Sequence, residues 1–387
     1  GKAPLTGRSK RGKASSVGMH ADPLVAPKRI ASMLRQFEHR QLYLEFLDRQ
    51  EASRLHVHGE RMERTQVDID KSNSQRARRE LIVGQPARAL DALDSKGNAK
   101  GDVVARLSGL HPNSKAPIEA VPVLPAQVDL PFEVDSFLVR KCIRDASRCT
   151  ARGFSGDRMD YYRIVGGTIA ATTDSMLDED ESLLELLTEL ITQVLIGDVP
   201  PEFHNALKTS RLVALIKAYV EQDDGSFSEK IRPVACGEPI LRLACSCAMQ
   251  ASRARVSAHF SGDGLQLGCG VKGGVELAAM IVTAAVQRGY VDSEGRQCHS
   301  TVCATDVKNA FNEVMRNACI NNMLAAGFTD LKNVVLMMYK GQSRLFYRNA
   351  QGDMEELASM EGSRQGCVFG GFLFNFGIHP ILDRISQ

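Results

Sequence analysis

After Phe132 the sequence changes character, and that break limits where a packed core can form. Residues 96–134 collect Gly, Asn, Pro and Ser, as in the run HPNSKAPIEAVPVLP that begins at His111, and they predict a linker with few regular elements. Beyond it helix and strand signals are dense. Leu183, Leu187, Leu190, Ile191, Val194 and Leu195 share one helical face. The acidic run Asp178 to Glu181 opens that helix, where carboxylates suit the positive end of the dipole. Upstream of the linker, residues 1–27 read as a flexible basic arm. Residues 28–95 read as a helical segment, with Ile30, Met33, Leu34, Phe37, Leu42, Leu44, Phe46 and Leu47 recurring at near-helical spacing among alternating charges.

Composition narrows the classes. With 43% hydrophobic and 24% charged residues, the 387-residue chain can bury a substantial core. Its longest apolar runs, such as Val368 to Phe376, are broken by glycine or are shorter than the roughly 20 residues of a membrane span, so no membrane partner is expected. The ten cysteines lack the paired spacing of a zinc ribbon or a disulfide framework and read as reduced, packed thiols. His56 and His58 form a lone HxH with no further ligand nearby and are assigned no metal. Residues 1–80 hold 17 Lys and Arg against 10 Asp and Glu, a net of +7 that leaves −5 on the remainder of a chain carrying +2 overall. A basic amino-terminal segment suits a polyanion.

Two segments carry chemistry. In TVCATDVKNAFN, Thr301 to Asn312, a β-prone run ends in Asp306 and a helical pattern with Ala310 and Phe311 follows. A carboxylate at a strand's end can hold a hard divalent cation, and phosphoryl transfer needs such ions bridged to phosphate oxygens. A bulky ring at Phe311 would collide with a ribose 2′-hydroxyl and select deoxynucleotides by exclusion. In EGSRQGCVFGGFLFN, Glu361 to Asn375, glycines surround the polar Ser363, Arg364 and Gln365 before an apolar helical run. Such a loop permits close backbone approach, with Gln365 free to hydrogen-bond and Gly366 leaving room for a base or sugar.

In this order, DVKNAFN and GSRQGCVFGGFLFN resemble the A and B motifs of reverse transcriptases. Ser210 to Met249 resembles the family's fingers hairpin, with Lys217 before the turn and Arg232 in an RPI-like segment after it. Gly153 to Gly156 falls where the family's glycine-rich entry loop stands. Gln266 to Glu276, QLGCGVKGGVE, resembles a QxGxxxxGGxE element of non-LTR, site-specific retrotransposon polymerases.

The resemblance spans roughly residues 140–387. It implies an α+β fold with right-hand polymerase fingers over 135–300 and an incomplete palm over 301–387, preceded by the basic helical and flexible segment. It implies an RNA-directed DNA polymerase that adds deoxynucleoside triphosphates to a DNA primer on an RNA template, in the nucleus. Asp306 would be the catalytic carboxylate and a ligand of Mg²⁺, with Mn²⁺ as the alternative. Lys217 and Arg232 would hold phosphates, as a point charge and a fork, while Ala310, Phe311, Gln365 and Gly366 would line the nucleotide pocket.

Two departures qualify the expectation. Gly370 and Gly371 stand where the family has a small residue and proline. The family's third motif, an Asp-Asp pair on a β-hairpin, is expected after the second, and the sequence ends at Gln387 without it. Asp223 and Asp224 precede Asp306 and sit in the proposed hairpin turn, so they are rejected as substitutes. The expected behaviour of this chain alone is therefore little or no polymerase activity. The alternative is a catalytically inactive, nucleic-acid-binding retroelement remnant. A third reading is an unstable product that aggregates through an unpaired sheet edge.

Overall fold

The computed structural model describes residues 66–82, 90, 92–96, 98–99, 103–115, 133–147, 150–166, 177–262, 264–271, 273–298, 302–349 and 351–386. The expected arm over 1–27, the first part of the helical segment and His56 and His58 lie outside them. Within the described residues the fold is mixed α and β, with thirteen α-helices and one four-stranded sheet, plus a two-stranded ribbon at Tyr290–Val291 and Gln297–Cys298. No helix among the described residues is long and apolar enough to cross a membrane.

The main core is helical. The predicted amphipathic helix forms as α5, Leu177–Ile196, and buries Leu183, Leu187, Leu190, Ile191, Val194 and Leu195 as its spacing requires. It packs on α3 (Ser136–Asp145), α7 (Pro239–Ala251) and α12 (Lys332–Tyr339). Helix α11 (Arg316–Ala325) lies against α13 (Gly370–Ser386), whose Phe372 and Phe376 stack edge-on among Phe260 and Phe328. Of the nine cysteines among the described residues, five are buried, three are half-buried and Cys303 is exposed.

The sheet runs in the order β2-β1-β5-β6. Strands β1 (Ser210–Glu221) and β2 (Phe227–Cys236) form the expected long hairpin, and β5 (Ser343–Arg348) and β6 (Met354–Ser359) form a second. The two hairpins join where Ser210 to Leu212 pair in parallel with Leu345 to Tyr347. At its base β1 alternates buried and partly exposed residues, and beyond Ile216 it projects into solvent.

The linker holds one short helix, and one expectation fails here. The linker over 96–134 contains helix α2, Val103–Gly109, which buries Val103 and Leu107 against Leu212, Ala214 and Leu345 of the sheet. An i, i+4 apolar pair is sufficient for one face of a two-turn helix once a sheet is there to receive it. The run Val302 to Val307, expected as a strand ending in Asp306, is irregular and exposed. A strand needs backbone partners, and among the described residues none is offered to Val302 to Val307, so the β propensity there goes unused.

The loop Gly153 to Gly156 is tied to the core through Glu238. This carboxylate is fully buried and accepts hydrogen bonds from the Ser155 amide (2.8 Å) and hydroxyl (2.6 Å), while Phe154 stacks on Phe346 of β5 at 4.4 Å. Burial pushes the Glu238 carboxyl up to about 7, against the pull of the two Ser155 hydrogen bonds. Its folded state therefore holds a proton that the unfolded chain releases from about pH 4.5 upward, so stability present at acid pH is lost as pH rises through 7. Glu238→Gln should flatten that decline, removing a pH-dependent difference of roughly 2–4 kcal/mol between pH 5 and 7.5. Parallel denaturation curves for the two proteins across this range would contradict the assignment.

Candidate functional site

One cleft of about 1070 Å³ gathers every residue the sequence nominated. Lys217, Arg232, Asp306, Ala310, Phe311, Gln365 and Gly366 all line it, together with Arg106, Leu110, Glu229, Lys230, Lys308 and Asn309. The hairpin, the 306–311 segment and the 361–366 loop are far apart in sequence, and the fold closes them around this space.

Each segment reaches the cleft for a local reason. The hairpin turn is closed by the Gly225 amide on the Gln222 carbonyl (2.9 Å), and the Ser226 amide donates to the Asp224 carboxylate (2.9 Å). Asp223 and Asp224 are thereby turn residues, as the rejection of a metal role requires. Pairing of β1 with β2 slips between Ile216 and Ala218, leaving Lys217 as the extra residue of a β-bulge. A bulge re-aims the side chain it carries, here a lysine of the cleft. On β2, next to Arg232, Pro233 lacks an amide, which suits the sheet-edge position of that strand.

The polar loop docks on that same edge. The Ala235 amide of β2 donates to the Gln365 carbonyl at 2.8 Å, so an edge donor is satisfied by the loop itself. Gln365 lines the cleft, while its side-chain Oε1 is buried and has no hydrogen-bond partner among the described residues.

The 306–311 segment turns at Asn309, which has φ +52° and is the only non-glycine residue at positive φ among those described. Its amide group donates to the Leu110 carbonyl (2.9 Å), and its oxygen accepts from Asn312 (2.9 Å), so the costly turn is held from both sides. Helix α10, Ala310–Glu313, follows and presents Phe311, whose ring stacks on Phe374 of α13 at 4.8 Å and 16°. The Ser363 amide donates to the Phe311 carbonyl at 2.7 Å, joining the two motifs directly.

Behind them sits a device that sequence reasoning missed. Arg316 is 3% exposed and donates to the carbonyls of Gly362 (3.0 Å), Glu361 (2.9 Å), Tyr339 (3.2 Å) and Gly341 (3.1 Å) and to the Ser359 hydroxyl (3.1 Å). Burial, followed by the nearby Arg364 charge, depresses its guanidinium to about 10. The Glu361 carboxylate accepts from the Arg316 amide (2.5 Å) and from the Lys115 amide (2.7 Å), tying the cleft floor to the segment after α2. Arg364 donates to the Lys208 carbonyl (2.7 Å) and lies 5.2 Å from the centre of the Tyr339 ring. One signal was available: Arg316 opens α11 at the positive end of the helix dipole, where a cation is disfavoured unless a tertiary contact recruits it.

The charge of the cleft is lopsided. Arg106 is spent on Glu229, through a 3.5 Å ion pair and a hydrogen bond to its carbonyl. Lys217, Lys230, Arg232 and Lys308 make no ion pair among the described residues, and the one carboxylate left facing them is Asp306. No group of three or more His, Cys, Asp or Glu side chains converges among the described residues. One exposed carboxylate does not fit the two-ion site that the resemblance implies. Chemically the cleft presents four unpaired cations and an apolar wall at Phe311. Compared with known proteins, the chain matches no family model and no curated protein.

Proposed function

We propose that the cleft is the nucleotide site of an RNA-directed DNA polymerase of the non-LTR retrotransposon type, with residues 135–300 as its fingers and 301–387 in its palm. What carries the reading is the convergence on one cleft of seven residues nominated from three separate motifs. The partners are an RNA template, a DNA primer and a deoxynucleoside triphosphate, and the place of action is the nucleus. The primer 3′-hydroxyl oxygen would bond to the α-phosphorus as the bond to the bridging oxygen breaks. Pyrophosphate leaves, and the hydroxyl proton passes to solvent. Lys217 and Arg232 hold phosphate oxygens, Phe311 bars a 2′-hydroxyl, and Gln365 and Gly366 receive the base and sugar. In this reading Mg²⁺ is the family's cofactor, and Asp306, the residue matched to the family's metal carboxylate, stands alone in the cleft.

The test is binding of labelled dATP and ATP to the full chain, alone and with an RNA–DNA primer–template. Wild-type protein should prefer the deoxynucleotide, and Phe311→Ala should erase about tenfold of that preference. Equal affinity for both nucleotides in wild-type protein, or an unchanged ratio in the variant, would remove Phe311 from its role. Failure to bind nucleotide and primer–template alike would sink the proposal.

A second reading is a protein that holds RNA or DNA without turnover. The lone carboxylate among four unpaired cations favours it. Salt-sensitive binding without metal-dependent primer extension would decide for it.

A further inference from the structure

The cations of the cleft outnumber its free carboxylate four to one, and this imbalance bears on how a triphosphate is held. Resting on the reading that the cleft takes a nucleoside triphosphate, we infer that Lys217, Lys230, Arg232 and Lys308 bind it without a divalent ion. Lys230 and Lys308 are thereby phosphate ligands that no motif nominated.

A triphosphate brings several negative charges that must be neutralised on leaving water. A site that relies on Mg²⁺ supplies carboxylates to grip the ion, because the ion's own charge does the neutralising. Here the donor set is reversed. Three cations stand on the hairpin, with Lys217 aimed by the bulge, and Lys308 stands across from them on the Asp306 to Asn309 turn, one residue before the αL turn at Asn309. All four are exposed and unpaired among the described residues, so none must surrender a partner to bind.

Asp306 has the opposite consequence. Without an ion it faces the bound polyphosphate as a like charge, which weakens binding instead of supporting it. A metal-ligand role and this repulsive role therefore predict opposite signs for the same substitution.

The experiment titrates a fluorescent deoxyadenosine triphosphate into the full chain in EDTA and again in Mg²⁺, for wild-type, Lys308→Ala, Lys230→Ala and Asp306→Asn proteins. Affinity in EDTA should equal or exceed that in Mg²⁺. Each lysine variant should weaken binding in EDTA by about fivefold, and Asp306→Asn should tighten it by about threefold. Inorganic tripolyphosphate should displace the nucleotide in EDTA. The ratio of the two affinities is internal to each protein, so partial loss of folding cannot imitate the result. Binding that requires Mg²⁺, or an Asp306→Asn protein that binds more weakly in EDTA, overturns the inference while leaving the nucleotide site standing. Absence of binding in both media overturns the nucleotide site and the inference with it.

Discussion

Gly362→Ala is expected to cost roughly 3–5 kcal/mol and to open the cleft, because two independent penalties fall on one methyl group. Gly362 has φ +69°, a conformation that L side chains rarely adopt, and an added Cβ would lie 2.4 Å from the Phe311 carbonyl oxygen and 2.5 Å from the Asn312 backbone. Both obstacles are main chain, so neither can swing aside. Relief requires the 361–366 loop to move off the 309–312 turn, and the contact between the two motifs is lost with it. Gly371→Ala is the control. Nothing lies within 4 Å of its added Cβ, and inside α13 it should stabilise by about 0.5–1 kcal/mol. Denaturant unfolding of both variants measures the contrast, and a Gly362→Ala protein within 1 kcal/mol of wild type would show that the motifs are not in contact.

Arg316→Ala should be of similar size, roughly 3–5 kcal/mol, and for a different reason. The guanidinium supplies donors to four carbonyls and a hydroxyl drawn from the ends of α12, β6 and the polar loop. Truncation leaves those acceptors buried and unpaired, which costs more than the hydrogen bonds contributed. Arg316→Lys keeps the charge but cannot span the fork, and should recover no more than about half of the loss. Full recovery in the lysine protein would mean that charge alone, without the planar geometry, holds the floor of the cleft.

The sequence revealed what depends on local spacing. Helix α5 was legible because its apolar residues recur at helical intervals, and the β1–β2 hairpin because Asp224 and Gly225 mark a turn between β-prone runs. The cleft residues were legible through ordered motifs. What stayed hidden depends on partners distant in sequence. The run before Asp306 has strand propensity but no neighbouring strand among the described residues. Helix α2 forms among linker-like residues because a sheet is there to cover. Burial of Glu238, Glu361 and Arg316 cannot be read from residue type, since charged residues are exposed by default. The bulge that singles out Lys217 is a slip of register, visible only once both strands are paired.

The parallel join between Ser210 and Leu345 has a kinetic consequence. Each hairpin closes a short loop and can form early, whereas joining them closes a long stretch of chain and must wait for the helices between. The Ala235 amide meets the Gln365 carbonyl across a comparably long stretch of chain, so the cleft closes late as well. A ligand bound there meets a finished surface on the native side of the folding barrier, so it would prolong the life of the folded molecule without hastening its birth.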